Sequence, residues 1–184
     1  MKYPTITIIV LQLLFLPVVV AGDSPEIAKI RNTYKKLPQL IEVIKAEATL
    51  TLFEGLPHQT WEPIKLKAEL ASKDTVKQHK FSFYKRPNKV SKADEAAIRK
   101  LCLNKVSFRP FIGFKACGGF HPDYSLHWTS GNQTVELQLC FGCSEIRGYL
   151  GDTYVYCEMT KSSLTRFEQM LRLYQVQRPP KKRE

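Results

Sequence analysis

Five cysteines and four histidines carry most of the reactive side-chain chemistry in this chain, and they are unevenly placed. Between Lys115 and Glu145 stand Cys117-Gly-Gly-Phe-His121-Pro-Asp-Tyr124, then Trp128, a turn, and Cys140-Phe-Gly-Cys143. Thiols and imidazoles cross-link, bind transition metals or exchange electrons, so a segment that gathers them is either a staple or a site. The plainest reading is one or two structural disulfides drawn from Cys117, Cys140, Cys143 and Cys157, as an exported chain meets oxidising conditions. The same residues also spell C-x3-H, eighteen intervening residues, then C-x2-C. That pattern would hold zinc tetrahedrally through Cys117, His121, Cys140 and Cys143, in a structural site with no position left for water. A redox role for Cys140 and Cys143 needs a following helix whose end lowers a thiol pKa. Here Ser144 to Tyr149 leads instead to a turn and another strand.

Other chemistry is thinner. His121, Asp123 and Tyr124 bring imidazole, carboxylate and phenol together, yet Pro122 and Asp123 are ordinary turn residues. His58 stands in the turn Gly55-Leu-Pro-His58, where a hydrogen-bonded or surface histidine is the ordinary finding. No serine nucleophile elbow, H-E-x-x-H helix, phosphate loop or glycine-rich dinucleotide turn is present. No catalytic or cofactor-binding residue is therefore assigned, and the balance leans away from an enzyme.

These residues must be positioned by strands and helices that the patterning suggests. Ser24-Pro25-Glu26 starts a helix in which Ile27, Ile30 and Tyr34 recur, and Pro38 is expected to end or bend it. Residues from Ile41 to Phe53 drift toward alternation, clearest at Thr49 to Leu52, and predict a strand. A short helix follows through Leu66 and Leu70, then a strand from Val76 to Tyr84. Ser91 caps a helix carrying Ile98, Leu101 and Leu103, with Cys102 buried near its end. Strands are expected at Tyr124 to Thr129, Gln133 to Phe141 and Thr153 to Glu158, the first two joined by a tight turn at Ser130-Gly131-Asn132. A last helix begins at Ser162 or Ser163. The predicted architecture is α+β: a single antiparallel sheet packed on two or three helices.

Antiparallel pairing then makes a specific demand. A turn at Gly131 sets Cys140 opposite a residue near His121 and Cys143 opposite Gly118 or Gly119. A second hairpin with its loop at Tyr149 to Gly151 sets Cys157 opposite Cys143. Cys140 and Cys143 would face opposite sides of a regular strand, which a bulge at Gly142 would relieve. One corner rich in sulfur is the expectation. His127 and Trp128 alternate, so one faces the core and the other solvent.

Lys2 followed by the apolar run Ile6 to Val20 and the small pair Ala21-Gly22 reads as a cleaved export signal over residues 1–22, with retention as an anchor the alternative. The remainder, 23–178, suits one α+β domain, and 179–184 a basic disordered tail. Of 184 residues, Lys and Arg exceed Asp and Glu by eleven, and by ten once Lys2 is removed. Spread along the chain, this excess fits weak contact with an anionic cell-surface polymer better than sequence-reading of nucleic acid. After signal cleavage nothing suggests an integral membrane protein.

Glu54-Gly-Leu-Pro-His58, Lys115-Ala-Cys-Gly-Gly-Phe-His-Pro-Asp-Tyr124 and Leu139-Cys-Phe-Gly-Cys143 resemble a family of uncharacterised exported bacterial proteins, over about Lys45 to Pro179. The resemblance implies a leader peptide, one small domain and this cysteine pair, and brings no activity with it. The leading expectation is a non-enzymatic envelope or secreted module, binding or structural, with a disulfide- or zinc-stabilised cysteine cluster. The alternative is a metal- or thiol-dependent enzyme using Cys140, Cys143 and His121, helped by His58.

Overall fold

A computed structural model describes residues 24–179; the expected leader, and the tail beyond Pro179, lie outside them. Helix α1 (Pro25–Thr33) is capped by Ser24, whose hydroxyl accepts from the Ile27 amide at 3.3 Å. It passes through a 3-10 turn, Tyr34–Lys36, into α2 (Leu37–Lys45). Pro38 therefore opens a second helix where an end was expected. It sits in the first turn of α2, where a missing N–H costs nothing. The helix then carries Ile41 to Lys45, so the strand β1 (Thr49–Glu54) is shorter than predicted. Leu37, Leu40, Val43 and Ile44 explain this, since their spacing buries one helical face.

Next come α3 (Pro63–Ser72), β2 (Thr75–Gln78), β3 (Phe81–Tyr84), α4 (Lys92–Leu103) and the short β4 (Phe108–Pro110). The single strand expected from Val76 to Tyr84 is a hairpin, Thr75 pairing with Tyr84 and Gln78 with Phe81. Its turn holds His79 at a φ of 51°, a conformation that sequence reading assigns to glycine or asparagine. Strands β5 (Tyr124–Ser130), β6 (Gln133–Cys140), β7 (Glu145–Leu150) and β8 (Thr153–Met159) form a meander, followed by α5 (Lys161–Leu171).

The main sheet is six-stranded and antiparallel, in the order β1-β5-β6-β7-β8-β4, with β2 and β3 forming a separate two-stranded sheet. This is the α+β arrangement expected, with a second small sheet added. One face of the main sheet, through Leu126, Trp128, Val135, Leu137, Leu139, Ile146, Val155 and Cys157, packs on α2, α4 and α5. The other face is covered by α1, the β2–β3 hairpin and the loop between β4 and β5, around Phe111, Phe120, Cys140, Cys143 and Tyr156. Gly148 brings β7 under α2, where a Cβ would come within 2.5 Å of Leu40.

Candidate functional site: a disulfide corner beside two histidines

The register of the β5–β6 hairpin pairs Tyr124 with Leu139 and closes through Gly131, whose φ is 55°. This carries the chain before Tyr124 alongside the end of β6. Strand β6 stops at Cys140, and Phe141 to Ser144 form a turn, Ser144 adopting a φ of 58°. Cys143 thus lies in the turn, and the parity problem is relieved by the end of the strand where a bulge at Gly142 was expected. Cys117, on the β4–β5 loop, is bonded to Cys143 across 26 residues, with a Cα–Cα distance of 5.7 Å. The bond clamps a long loop to a tight turn, and loop closure of this size is worth about 3 kcal/mol.

Cys140 lies in the same cluster with its thiol free and buried. Burial, chiefly, pushes it up to about 11, although the backbone amides of His121 and Cys143 favour its thiolate. Cys102 and Cys157 are also free, buried and pushed up to about 12 by burial. Cys157 is opposite Ile146, not Cys143. The β7–β8 turn falls at Gly151 and Asp152, later than expected, which moves the register and turns Cys157 toward the helices.

Two histidines flank the loop. Gly118 and Gly119 have φ of 79° and 89°, and a Cβ on Gly118 would meet Trp61 Nε1 at 2.8 Å and His58 Cε1 at 3.0 Å. The glycines therefore let the disulfide loop lie directly on the segment before α3. Thr60 Oγ1 donates to the Gly118 carbonyl at 3.1 Å and Trp61 Nε1 to that of Cys117 at 3.2 Å. His58 Nδ1 accepts from the Thr60 and Trp61 amides at 3.0 and 3.3 Å, which fixes its ring. The His58 and His121 ring centroids are 4.6 Å apart. Burial holds His121 down at about 4, with Arg178 and His58 acting in the same direction and Asp123 and the Leu56 carbonyl opposing them. A shallow groove of about 130 Å³ passes His121, lined also by Leu56, Pro57, Leu66, Lys80 and Phe81; none of the cysteines lines it.

Sequence reasoning missed the charged layer beneath this corner. Glu158 is fully buried and receives Arg109 at 2.8 Å and Lys115 at 3.0 Å, while Lys115 also reaches the Cys143 carbonyl at 2.6 Å. Arg147 places its guanidinium 4.3 Å from the Phe120 ring, 4.9 Å from Tyr156 and 5.5 Å from Phe81. Glu145 accepts from the Tyr156 hydroxyl. The signal was the alternation of Glu136, Gln138, Glu145 and Arg147 with apolar residues, which reads as a solvated face. Here a loop and a hairpin cover it.

His127 is on that covered face and Trp128 in the core, so neither faces open solvent. Ser125 Oγ, Gln78 Oε1 and Glu136 Oε2 approach His127 Nε2 at 3.1, 3.2 and 3.5 Å. The residue types are those of a hydrolytic triad, but hydroxyl and carboxylate converge on one nitrogen. A triad needs them on opposite ring nitrogens, and Ser125 is fully buried.

The structure thus gathers Cys117, His121, Cys140 and Cys143 at one corner and leaves Cys157 on the opposite face. Two of the four proposed zinc donors are consumed by the disulfide. Among the described residues no three His, Cys, Asp or Glu side chains are grouped to hold a metal ion. No helix of the described residues is long and apolar enough to cross a membrane. No family model matches the sequence, and neither a curated protein nor a solved structure matches it.

Proposed function

We propose that this chain is an exported, non-enzymatic binding or structural module, akin to the exported bacterial proteins that its motifs resemble, and that its basic surface contacts anionic cell-surface polymer. The observation that carries the reading is the state of the five cysteines: two are joined, and three are free and buried, where burial pushes each thiol's pKa up. A disulfide suits an oxidising compartment, and a thiol held well above neutrality is a poor nucleophile or metal ligand.

Charge supports the partner class. From Pro63 to Lys89 there are eight Lys and Arg residues against Glu69 and Asp74. Glu69 is buried, so about half of the chain's positive excess falls on α3, the β2–β3 hairpin and the turn after β3. Lys73, Lys85 and Arg86 line one groove there, and Arg86 and Lys89 line its neighbour. Chromatography on heparin tests this directly. Retention should fall steeply with salt; retention indifferent to salt, or none, would count against the polymer contact. Thiol titration of the native protein should find almost nothing reactive, and one fast thiol would revive the enzyme alternative.

A further inference from the structure

Helix α3 buries little of its apolar surface. Its buried residue is Glu69, which accepts from the Tyr84 hydroxyl at 2.8 Å, whereas Ile64 is 85% exposed and Leu70 48%. Just ahead of the helix, Trp61 is 66% exposed even though its indole nitrogen is tied to the Cys117 carbonyl. A helix on a folded body normally turns its apolar residues to the core. Within ten residues a large aromatic and two aliphatic side chains are exposed to water, an apolar surplus that suits a segment covered by a partner.

The surrounding charge says what. Lys67 is three residues from both Ile64 and Leu70, one turn away from each along the helix. Lys73 follows at the helix end, Lys77 and Lys80 project from the adjoining hairpin, and Lys80 lines the same shallow groove as Leu70. Among the described residues none of these four lysines has a carboxylate within ion-pairing distance.

We propose that Trp61 and α3 form a docking surface for an anionic lipid bilayer. Trp61, Ile64 and Leu70 enter the boundary between headgroups and acyl chains, and Lys67, Lys73, Lys77 and Lys80 engage the anionic headgroups. This rests on the basic-surface reading above and gives that surface a bilayer, in place of a polymer, as its anionic partner. A dissolved polyanion would satisfy the lysines and leave the apolar side chains in water, whereas a negatively charged bilayer accommodates both. The disulfide loop contributes by fixing the Trp61 ring through the Cys117 carbonyl, so the insertion edge is preformed.

The two tryptophans make the test local, because Trp128 is fully buried and Trp61 is not. The full-length chain is mixed with phosphatidylcholine vesicles, alone or with an equal part of phosphatidylglycerol, and tryptophan emission and acrylamide quenching are recorded. The change in emission reports Trp61, since Trp128 is already out of water. A blue shift with reduced quenching is expected only with phosphatidylglycerol. Ile64→Ser should lower partitioning roughly tenfold, and Lys67→Gln or Lys73→Gln about fivefold each. All three sites are exposed, so the variants should fold. Emission unchanged by anionic vesicles, shifted equally by phosphatidylcholine alone, or shifted undiminished in the variants would overturn the proposal. Salt-sensitive heparin retention with no shift would overturn it while leaving the polymer reading in place; failure to bind either would retire both.

Discussion

Glu54 shows how a single buried carboxylate organises this molecule. It ends β1 with no exposure and accepts backbone amides from Val176, Gln177 and Arg178 at 3.1, 2.9 and 2.9 Å. Arg178 in turn donates to the Gly55 carbonyl at 2.9 Å and pairs with Asp123 at 3.0 Å. The chain after α5 is thereby strapped to the loop that carries His121. Glu54→Gln should cost about 2 kcal/mol, since a charged acceptor of several amides is replaced by a weaker one. A lower denaturant midpoint with unchanged slope would register it. Gly55→Ala should be worse, because the added Cβ would come within 2.0 Å of the Pro122 carbonyl oxygen, a backbone atom that cannot rotate away. Expression with little folded protein, or a loss of about 3 kcal/mol, is the expected outcome.

His121 supplies a pH dependence at the same scale. Its folded pKa is held near 4, below the ordinary 6.5 or so, so the unfolded chain binds more protons between those values. Its contribution is complete above about 6.5, declines as pH falls, and is exhausted below about 4; at most it is about 3 kcal/mol. Asp123 opposes this shift, and Arg178 and His58 reinforce it. Urea unfolding near neutrality and at about pH 4.5 should show a drop that His121→Asn diminishes. An equal drop in the variant would place the titration elsewhere, His127 being the other histidine held low by burial.

Among elements, the disulfide joins a thirteen-residue connection from Phe111 to Asp123 to the turn after β6, and it reinforces the Lys115 donation to the Cys143 carbonyl and the Phe141 amide's donation to Asp123. Replacing Cys117 and Cys143 together by Ser should lower stability by about 3 kcal/mol, and reductant should add nothing to that variant's loss. The Ser130-Gly131-Asn132 turn and the Ser91 cap were legible, because a tight turn and an N-cap are written in adjacent residues. So was the approach of His121 to Cys140, which follows from the turn by counting. The His79 turn was not legible because it depends on partners far along the chain. His79 takes a left-handed conformation with its Nε2 3.3 Å from a Glu136 carboxylate oxygen and its ring stacked on Tyr149 at 3.6 Å, and neither partner lies near it in sequence. Cys157 departs from its expected place because the turn falls at Gly151 and Asp152, and each shift of register alters which residues meet.

At the scale of the whole molecule, the sheet has two unlike sides. Helices α2, α4 and α5 bury an apolar face, while α1, a loop and a hairpin cover a face on which Arg147, Glu145, Glu158 and Lys115 lie among aromatic rings. The disulfide locks that second cover, and the basic, partly apolar excursion built from α3, β2 and β3 is presented beside it. The pairing of the five cysteines is the quantity to measure. Alkylation of the native, non-reduced protein, followed by proteolysis and mass spectrometry, reads their pairing directly. A linkage of Cys117 to Cys143, with Cys102, Cys140 and Cys157 labelled only after denaturation, is the result expected; free Cys117 and Cys143, or a bond between Cys140 and Cys143, would contradict it.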